Sequence, residues 1–421
     1  QALALLVHRA AEGPALVVAP TSVCMNWASE AERFAPTLNV ILLNRDRGLS
    51  IQDRKPFDVL VVSYGLLLQE QEALSSQRWS TIVLDEAQAI KNVSAKRTGA
   101  ALSLKGDLRL ITTGTPMENH LGEIHSLFHF LNPGLLGSLK SFTTRFADPI
   151  VKRKDPEARQ RLKRMVQPFI LRRLKSAVLD ELPPLTEIVL EVEMGAVEAA
   201  FYEALRRQAL ENISGLNLPE ARQRVHILAE IMRLRRACCS PRLVTPDSTI
   251  PGAKLEVFGD VIDGLRENRN KALVFSQFVG HLALVREFLD SRGITYCYLD
   301  GSTPAVRRQE QVDAFQAGKA ELFLISLKAG GMGLNLTAAD YVLHMDPWWN
   351  PAVEDQAGSR AHRMGQDRPV TVYRLIVRNT IEEKIIALHH QKRDLADSLL
   401  EGTDTSARIT AEELIAMIRG R

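Results

Sequence analysis

The sequence of 421 residues has few cysteines and no long apolar run. Its four cysteines, Cys24, Cys238, Cys239 and Cys297, form no C-x-x-C pair, so their spacing indicates neither a zinc site nor a disulfide framework. No stretch stays apolar over the length that a bilayer-spanning helix needs, and the first residues do not resemble a signal peptide. We therefore expect a globular chain in a reducing compartment, with no membrane as a partner.

The net charge is also small, because 53 basic and 50 acidic residues nearly balance and leave a formal net charge of only +3. This balance does not by itself indicate a nucleic-acid-binding protein. The basic residues are nevertheless clustered, in residues 145–175 and again at Arg233, Arg235 and Arg236. Such clusters either follow a phosphate backbone without reading bases or form the solvated faces of surface helices, and composition leaves both possibilities open.

Apolar strand candidates alternate with helical stretches in two blocks, which predicts a parallel sheet flanked by helices in each block. With 45% hydrophobic residues, the chain can bury two or three cores. Residues 120–255, between the blocks, are mostly helical in pattern and are broken by proline-rich segments that mark hinges or boundaries. The strand candidates are residues 15–18, 59–62, 81–84 and 108–112 in the first block and residues 272–275, 295–298, 321–325 and 341–344 in the second.

Two acidic residues follow one of these strands. The pattern predicts a buried strand at residues 82–84, and Asp85 and Glu86 come where it ends. Open α/β sheets bind ligands at the carboxyl ends of their strands. Neighbouring carboxylates there can divide the work of ATP hydrolysis, since Asp85 can hold a hydrated Mg²⁺ while Glu86 orients or deprotonates the attacking water. Taken alone, the same pair could be an ordinary charged turn.

The segment 346–366, with the sequence DPWWNPAVEDQAGSRAHRMGQ, carries the complementary basic groups. If it is helical after Pro351, Gln356, Arg360 and Arg363 fall at i, i+4 and i+7 and share one face. Arginine keeps its charge at any working pH and offers a planar fork of donors, so this face suits the phosphates of a bound nucleotide. The alternative is a solvated helix face.

Further motifs accompany these two segments along nearly the whole chain, and together they resemble the Swi/Snf-related family of helicase superfamily two. Each motif is weak alone, but their joint order and spacing make chance a poor explanation. In chain order they are VAPTSV (18–23), SYG (63–65), DEAQ (85–88) with IKN (90–92), TTGTPMEN (112–119), PFILRR (168–173), VFSQ (274–277), LDGS (299–302), SLKAGG (326–331) and the segment 346–366.

Some positions depart from the commonest family pattern. Gln88 stands where many members have His, Leu174 where Thr is frequent and Met364 where Ile is usual, and none of these changes removes a charged catalytic group. The larger departure is that no G-x-x-x-x-G-K-[ST] phosphate loop occurs in the sequence. Because residues 1–10 predict the helix that follows such a loop, we expect the sequence to begin just inside a larger protein. We also expect the isolated chain to be an impaired ATPase.

The resemblance implies an α/β fold of two RecA-like lobes, each a parallel sheet flanked by helices, with helical protrusions between them. It implies lobe 1 at residues 1–185, with a protrusion from about residue 120, and a helical protrusion and linker at 186–255. Lobe 2 is expected at 256–380, and a brace helix and tail at 381–421.

The resemblance also implies one site for ATP and Mg²⁺ shared by the two lobes, with Mg²⁺ held by Asp85 through water. The expected catalytic residues are Asp85, Glu86, Gln356, Arg360 and Arg363, and those expected to couple nucleotide to DNA are Gln88, Thr113, Gly114, Thr115, Gly331 and Gly333. Hydroxyls, amides and glycine-exposed N–H groups suit phosphate contacts that ignore sequence. The expected DNA-binding residues are Thr21, Ser22, Ser63, Tyr64, Lys91, Asn92, Ser276, Gln277, Gly301, Ser302, Ser326, Lys328 and Trp348. For Trp348 and its neighbour Trp349, packing in a core is the open alternative, and for the basic cluster at 145–175 the resemblance favours phosphate contact.

The leading function is an ATP-dependent translocase that grips double-stranded DNA and displaces or remodels a DNA-bound protein or polymerase. Its expected location is the cytoplasm at the nucleoid, or the nucleus in a eukaryote, and the excess of Arg over Lys favours a bacterial source. Two other classes stay open. A strand-separating helicase would more typically read HRxGRxxR in the arginine segment, whereas here Gln366 follows Gly365. A non-catalytic DNA-binding or scaffold module is the other, because a missing phosphate loop would permit it.

Overall fold

The chain folds into two compact units, each built on one parallel sheet. The computed structural model describes residues 1–43, 51–93, 95–113, 121–153, 155–171, 182–214, 220–330, 334–363, 365–388 and 411–419. Among these, the first unit holds the residues up to 171 and the second unit those from 182 onward.

In the sheet of the first unit, a strand that ends in an aspartate lies next to a strand that ends in a threonine. The strands of this sheet are β1 (Ala15–Ala19), β2 (Asn39–Leu42), β3 (Asp58–Ser63), β4 (Arg78–Asp85) and β5 (Lys105–Thr112). All pair in parallel, in the order β2-β3-β1-β4-β5. The central strand β1 is apolar and buried at every residue, as expected where helices cover both faces of a parallel sheet. Because β4 and β5 are adjacent, Asp85 lies opposite Thr112 at the carboxyl edge.

Helices cover this sheet and bury its apolar side chains in two clusters. One cluster includes Trp79 and Phe130, and the other includes Leu6 and Val17. The helices are α1 (Ala2–Arg9), α2 (Thr21–Phe34), α3 (Tyr64–Gln69), α4 (Gln71–Ser76), α5 (Lys96–Ser103) and α6 (Gly122–Leu131).

A helical extension follows, with an apolar core of its own that includes Phe142, Phe146 and Leu162. Asp155 begins its longest helix, because its carboxylate accepts the first free N–H groups and proline occupies the next position. The extension consists of α7 (Leu139–Phe142), a π-helical turn (Thr143–Ala147), α8 (Asp148–Arg153) and α9 (Pro156–Val166).

The second unit has a six-stranded parallel sheet. Its strands are β6 (Leu185–Val192), β7 (Ala272–Ser276), β8 (Tyr296–Leu299), β9 (Leu322–Ser326), β10 (Tyr341–His344) and β11 (Val370–Val377). They pair in the order β6-β11-β10-β7-β9-β8. The strands β7 and β9 are buried at every residue, so the core of this unit lies on both faces of the sheet.

The largest apolar cluster of the second unit joins the sheet to long helices and includes Ile227, Ile231 and Ile385. A second cluster, with Phe315 and Phe323, covers the other side. The helices are α10 (Ala196–Ser214), α11 (Glu220–Cys239), α12 (Ala253–Glu267), α13 (Val279–Ser291), α14 (Ala305–Gln316), α15 (Leu327–Gly330), α16 (Pro351–Gly358), α17 (381–388) and α18 (Ala411–Arg419). Within the described ranges, no helix is both long enough and apolar enough to cross a membrane.

The predicted α/β class is confirmed, and every strand candidate overlaps an observed strand. Three strands, β2, β6 and β11, were not predicted. The described part of residues 120–255 is mostly helical, as expected, but it also contains β6, which pairs with β11 in the second sheet. This strand is at an edge and is exposed along most of its length, so its sequence lacks the continuous apolar run of a buried strand.

Candidate functional site

The acidic pair of the first unit lies at the carboxyl edge of the sheet. Asp85 is the last residue of β4, and its carboxylate is held by three donors. The Thr112 hydroxyl donates to Asp85 Oδ1 at 2.6 Å, and the Trp27 indole N–H donates to Oδ2 at 3.0 Å. The main-chain N–H of Glu86 also donates to Oδ1, at 3.0 Å. These bonds fix the direction in which the carboxylate faces. Neither Trp27 nor Thr112 was predicted, although Thr112 lies in a motif named above.

Glu86 begins a chain of side-chain hydrogen bonds that reaches the end of β5. Its φ of 50° lies in the left-handed region, which non-glycine residues rarely adopt and which is common at functional sites. The Gln88 side-chain amide donates to Glu86 Oε2 at 2.8 Å, and the Thr113 hydroxyl donates to Gln88 Oε1 at 3.0 Å. A change at Glu86 can therefore reach Thr113 through Gln88.

Tyr64 supports the same edge from α3. Its hydroxyl donates to the main-chain carbonyl of Asp85 at 3.0 Å. Burial, with the negative charges of Asp85 and Glu86, raises the pKa of Tyr64 far above its ordinary value, so the hydroxyl stays protonated. The Ser63 hydroxyl caps α3 by accepting the Leu66 N–H at 3.2 Å. Both side chains are buried and already bonded within the unit, so they support the site from inside, and the DNA contact expected at Ser63 and Tyr64 stays a prediction.

The Asp85 carboxylate fits the role of a Mg²⁺ ligand that acts through water. A carboxylate has about four acceptor positions. Trp27, Thr112 and Glu86 donate to three of them, which leaves one for a metal-bound water. Asp85 and Glu86 are both partly exposed, so solvent reaches this edge. Since Mg²⁺ usually keeps several waters and uses one or two carboxylates, the residues present suit a hydrated ion.

The remaining predicted contacts of the first unit differ in exposure. Thr21 and Asn92 are exposed, while Lys91 is partly exposed, with its Nζ 3.9 Å from a carboxylate oxygen of Glu123. These positions can reach a ligand from the surface. The predicted residues Gly114 and Thr115, and the side chain of Ser22, lie outside the described residues.

The arginine segment of the second unit is helical only at its start. The helix α16 ends at Gly358, and Arg360 and Arg363 lie in the turns that follow. The expectation that Gln356, Arg360 and Arg363 share one helix face is therefore wrong. Arg360 is 1% exposed, whereas Arg363 is partly exposed and its Nε–H donates to the Ser359 carbonyl at 3.1 Å. Of these two arginines, only Arg363 reaches solvent.

Two hydrogen bonds, one long-range and one local, occupy carbonyls just beyond the end of this helix. The Leu336 N–H donates to the Arg360 carbonyl at 3.1 Å, and the Gln366 side-chain amide donates to the Ala361 carbonyl at 3.2 Å. These carbonyls would otherwise accept bonds within a continuing helix. An imidazole nitrogen of His362 also lies 2.7 Å from the carbonyl of Pro183. The arginine turn is thus tied to two other segments of its unit, near Leu336 and Pro183, and to Gln366 just after it.

Glu354 anchors the start of α16. One of its carboxylate oxygens accepts the Trp348 N–H, and the other accepts the Arg374 Nε–H at 3.1 Å. Burial raises the pKa of Glu354 to about 7, although the positive charge of Arg374 acts in the opposite direction. Arg374 also pairs with Glu187 at 2.7 Å and with Asp355 at 3.3 Å. This ionic cluster joins β6, β11 and α16, and no local sequence signal indicated it.

Two serines expected to contact DNA in the second unit are buried at strand ends. The Ser276 hydroxyl donates to the Asp346 carboxylate, and the Ser326 hydroxyl accepts the Ala329 N–H at 3.4 Å. Both hydroxyls have partners inside the protein, and the DNA contact expected at these two positions stays a prediction. The Gln277 side chain is partly buried.

The turn after β8 keeps its predicted exposure. Gly301 and Ser302 are both exposed there. Asp300 organises the turn, because its Oδ1 accepts the Ser302 N–H at 2.9 Å and the Ser302 hydroxyl at 2.7 Å. Gly331 and Gly333, and the side chain of Lys328, lie outside the described residues.

The tryptophan pair packs against the core of the second unit. Trp348 lies against the cluster that contains Phe323, and Trp349 lies against the cluster that contains Ile231. Both side chains are partly buried. For Trp348 this favours packing over the predicted contact with DNA.

The two basic clusters have different structures. In the first, Arg145, Arg161 and Arg164 are exposed and line a cavity of 460 Å³ in the helical extension. In the second, Arg236 is exposed, but Arg235 is 0% exposed. The contacts of the Arg235 guanidinium lie inside the protein, which favours a structural role over phosphate contact. Arg172, Arg173 and Lys175 of the first cluster lie outside the described residues.

A buried polar group that sequence reasoning missed surrounds Asp346. Potential ligand atoms of Cys239, His281 and Asp346 lie within 4.8 Å of one another. Burial raises the pKa of Cys239 well above its ordinary value, and the cations of Arg235 and Lys254 act on Asp346 in the same pocket. Two fixed positive charges oppose a divalent cation, so we assign this group to the internal ion network.

Comparison with known proteins identifies the family. Residues 2–243 match the SNF2-related domain, and residues 253–365 match the helicase conserved C-terminal domain. An uncharacterized ATP-dependent helicase of Mycoplasma pneumoniae is 37% identical over 412 residues, and a putative ATP-dependent helicase/translocase of Bacillus subtilis is 36% identical over 430 residues. These matches cover 96% and 98% of this chain but 39% and 46% of the relatives, so the chain spans less than half of their length.

Relatives from other kingdoms match as well. A human SWI/SNF-related matrix-associated actin-dependent regulator of chromatin, subfamily A member 1, is 34% identical over 98% of this chain and 41% of its own length. Among solved structures, the Sulfolobus solfataricus SWI2/SNF2 ATPase core in complex with double-stranded DNA has 33% identity and a TM-score of 0.46, covering 95% of this chain and 85% of that one. Because the SNF2-related domain alone matches more than half of the sequence, the chain belongs to the SNF2-related family.

Proposed function

We propose that this chain is the motor core of an ATP-dependent translocase on double-stranded DNA that displaces or remodels DNA-bound proteins. Membership of the SNF2-related family supports this proposal, as do relatives named ATP-dependent helicases. The observation that carries it is the hydrogen-bonded chain Glu86–Gln88–Thr113 beside an oriented Asp85. These hydrogen bonds link the carboxylate proposed to orient water to the end of the neighbouring strand. Such a link is needed if the binding of nucleotide is to affect the binding of a second ligand.

In the proposed site, the residues of the first unit prepare the attacking water. Bound Mg²⁺ would neutralise charge on the phosphates. Asp85, held by Thr112 and Trp27, would bind one of the ion's waters without turning away. Glu86 would orient the attacking water. The hydrogen bond from Gln88 to the Glu86 carboxylate would then change when that carboxylate binds the water. Because the main chain at Glu86 is left-handed, its side chain points in a different direction from the one it would have in a regular turn.

Arg363 is the residue of the second unit proposed to act on the nucleotide. It is partly exposed, so its guanidinium can bind a phosphate, whereas the buried Arg360 is better suited to hold the turn. An arginine that stabilises the charge of phosphoryl transfer acts in the transition state rather than in simple binding. Hydrolysis would then depend on the arrangement of the two units, which would couple it to movement along DNA.

DNA contacts are proposed at exposed polar positions. Thr21 and Asn92 in the first unit and Gly301 and Ser302 in the second offer hydroxyl, amide and main-chain groups to backbone phosphates. The exposed arginines of the helical extension, Arg145, Arg161 and Arg164, add positive charge. Contacts of this kind carry no base specificity, so binding should be sequence-independent and should weaken with salt.

A non-catalytic DNA-binding module is the second candidate, because the sequence contains no G-x-x-x-x-G-K-[ST] motif. The test compares two chains in ATP turnover, with and without duplex DNA. One is the chain of 421 residues, and the other, the extended chain, carries an added N-terminal segment that contains a G-x-x-x-x-G-K-[ST] phosphate loop. We expect little turnover from the first and DNA-stimulated turnover from the second.

Three outcomes separate the candidates. Robust turnover by the chain without the added segment would contradict the proposed site. DNA binding without turnover in the extended chain, if the chain is folded and binds nucleotide, would favour the non-catalytic module. Displacement of a third strand from duplex DNA without separation of the duplex would support translocation over strand separation.

A further inference from the structure

Arg235 is a buried cation that touches two separate segments of the second unit. It lies near the end of α11 and is 0% exposed. Its guanidinium donates to the main-chain carbonyl of Pro347 and lies 4.0 Å from Asp346 Oδ2. The same group is 5.5 Å from the ring centres of both Phe278 and Trp349. One planar group therefore contacts the loop after β7 and the loop after β10 at once.

A second buried cation acts on the other side of Asp346. The Lys254 ammonium donates to the Met345 carbonyl at 2.7 Å. Asp346 itself accepts the Ser276 hydroxyl and the Gln277 N–H, the latter at 3.2 Å. The carbonyls on both sides of Asp346, and its carboxylate, are thus held by buried donors. The main chain at residues 345–347 has little freedom to shift while these bonds persist.

This segment leads directly into the arginine turn. The Trp348 N–H donates to the Glu354 carboxylate inside α16, so the loop and the helix move together. The helix has only 8 residues before Arg360 and Arg363 follow. A shift at Pro347 would therefore move the start of α16, and with it the turn that follows the helix and carries Arg363.

Stability alone does not explain a charge at this position. Burying a guanidinium is costly, and an apolar residue of similar size is often as good or better for stability. Methionine could fill the space between Phe278 and Trp349. It could not donate to the Pro347 carbonyl. Lysine could donate and approach one ring, but its compact ammonium is not a planar group that lies between two rings while it donates. Arginine meets both requirements with one planar group.

We propose that Arg235 is a positioning residue that sets the geometry of the arginine turn through the main chain at residues 345–349. The effect on turnover rests on the proposed function, in which Arg363 acts on the nucleotide. The effect on structure does not, because it follows from contacts within one unit. Arg235 is thereby given a role that differs from that of its exposed neighbour Arg236, although nothing local in the sequence distinguishes them.

The structural test is hydrogen–deuterium exchange on the 421-residue chain, comparing Arg235→Met, Arg235→Lys and Arg222→Met. Arg222 is exposed on the same helix, so its variant controls for the loss of a charge from α11. We expect the amides of residues 345–363 to exchange about tenfold faster in Arg235→Met, as for the loss of one charge-assisted hydrogen bond. Arg235→Lys should be intermediate and Arg222→Met unchanged. If Arg235→Met folds and its exchange in this segment is unchanged, the inference is overturned. If Arg235→Met does not fold, the same comparison is made with Arg235→Lys, and unchanged exchange there overturns the inference.

The functional test uses the extended chain of the preceding section. In Arg235→Met, kcat should fall by about 10- to 100-fold, as for a misplaced catalytic group, while the DNA concentration that gives half-maximal stimulation changes little. Arg235→Lys should recover part of kcat. Faster exchange with normal kcat would overturn the role in turnover, and weaker DNA binding with a shallower salt dependence would assign Arg235 to phosphate contact instead. If the unsubstituted extended chain does not hydrolyse ATP, the proposed function fails, and the exchange experiment still decides the structural role.

Discussion

Breaking the buried ion pair between Lys254 and Glu382 should destabilise the protein far more than breaking an exposed pair of the same length. The Lys254 Nζ lies 2.6 Å from Glu382 Oε1, and both side chains are 0% exposed. The pair Arg266–Glu321 in the same unit has the same 2.6 Å separation, but each side chain is 39% exposed. The two pairs therefore differ in burial while distance is matched.

The expected cost of Lys254→Met is about 3–5 kcal/mol, because the substitution leaves the Glu382 carboxylate buried without its counter-charge. Among the residues that the structure describes, the Val377 N–H, at 3.0 Å, would then be the one donor left to the Glu382 carboxylate. The Met345 carbonyl would also lose its bond from Lys254. For a unit of this size, the melting temperature should fall by roughly 6–20 °C. Arg266→Met should cost no more than about 1 kcal/mol, since exposed pairs contribute little.

Calorimetry measures the transitions, and hydrogen exchange assigns the affected one to the second unit. The double substitution Lys254→Met with Glu382→Gln should cost less than the sum of the single changes, because it no longer leaves an unpaired charge. The reasoning is refuted if Lys254→Met destabilises the protein no more than Arg266→Met does. It is also refuted if the two single changes are additive.

Two further predictions concern Glu354 and Glu86. The pKa of Glu354 is raised from its ordinary 4.5 to about 7, so its protonated form stabilises the folded protein at low pH and that contribution is lost as pH rises from about 4.5 through 7. Glu354→Gln should remove this dependence, and the stability difference from the unsubstituted protein should change by about 3 kcal/mol between pH 4 and pH 8 in urea denaturation; parallel curves would contradict it. In the extended chain, Glu86→Gln should keep nucleotide binding but lower turnover about 10²- to 10⁴-fold, since it removes the water-orienting carboxylate. Near-normal turnover at saturating DNA would exclude Glu86 from that role.

The buried strands could be predicted from the sequence because their signal is local. The apolar runs of β1, β4, β7 and β9 are continuous, which is typical of strands covered on both faces. The strand β11 was missed although it is mostly buried, because Arg374 interrupts its apolar pattern. The acids that neutralise Arg374 come from β6 and α16, which are distant in sequence.

The candidate site likewise combines residues that a local sequence signal marks with residues that only the folded chain brings together. The acidic pair and Thr113 were found because the motif order marks the ends of β4 and β5. Trp27 was not found, since only the folded chain brings it to Asp85 across 58 residues. The spacing of Arg360 and Arg363 predicted one helical face, but the helix ends first, and bonds from Leu336 and Gln366 occupy carbonyls just beyond its end. The bond from Leu336 comes from a distant part of the sequence, which helix propensity and spacing cannot reveal.

The most direct test of the central claim is the turnover of Arg363→Ala in the extended chain, measured against DNA concentration at two salt levels. Arg368→Ala is the control, because Arg368 is an exposed arginine of the same unit that pairs with Asp340 at 3.3 Å. If Arg363 acts on the transition state, its loss should lower turnover at saturating DNA by on the order of 10³ to 10⁵, with DNA affinity and salt dependence nearly unchanged. The control should stay close to the unsubstituted chain. Full recovery of turnover at high DNA concentration, with a shallower salt dependence, would assign Arg363 to the DNA backbone and contradict the account.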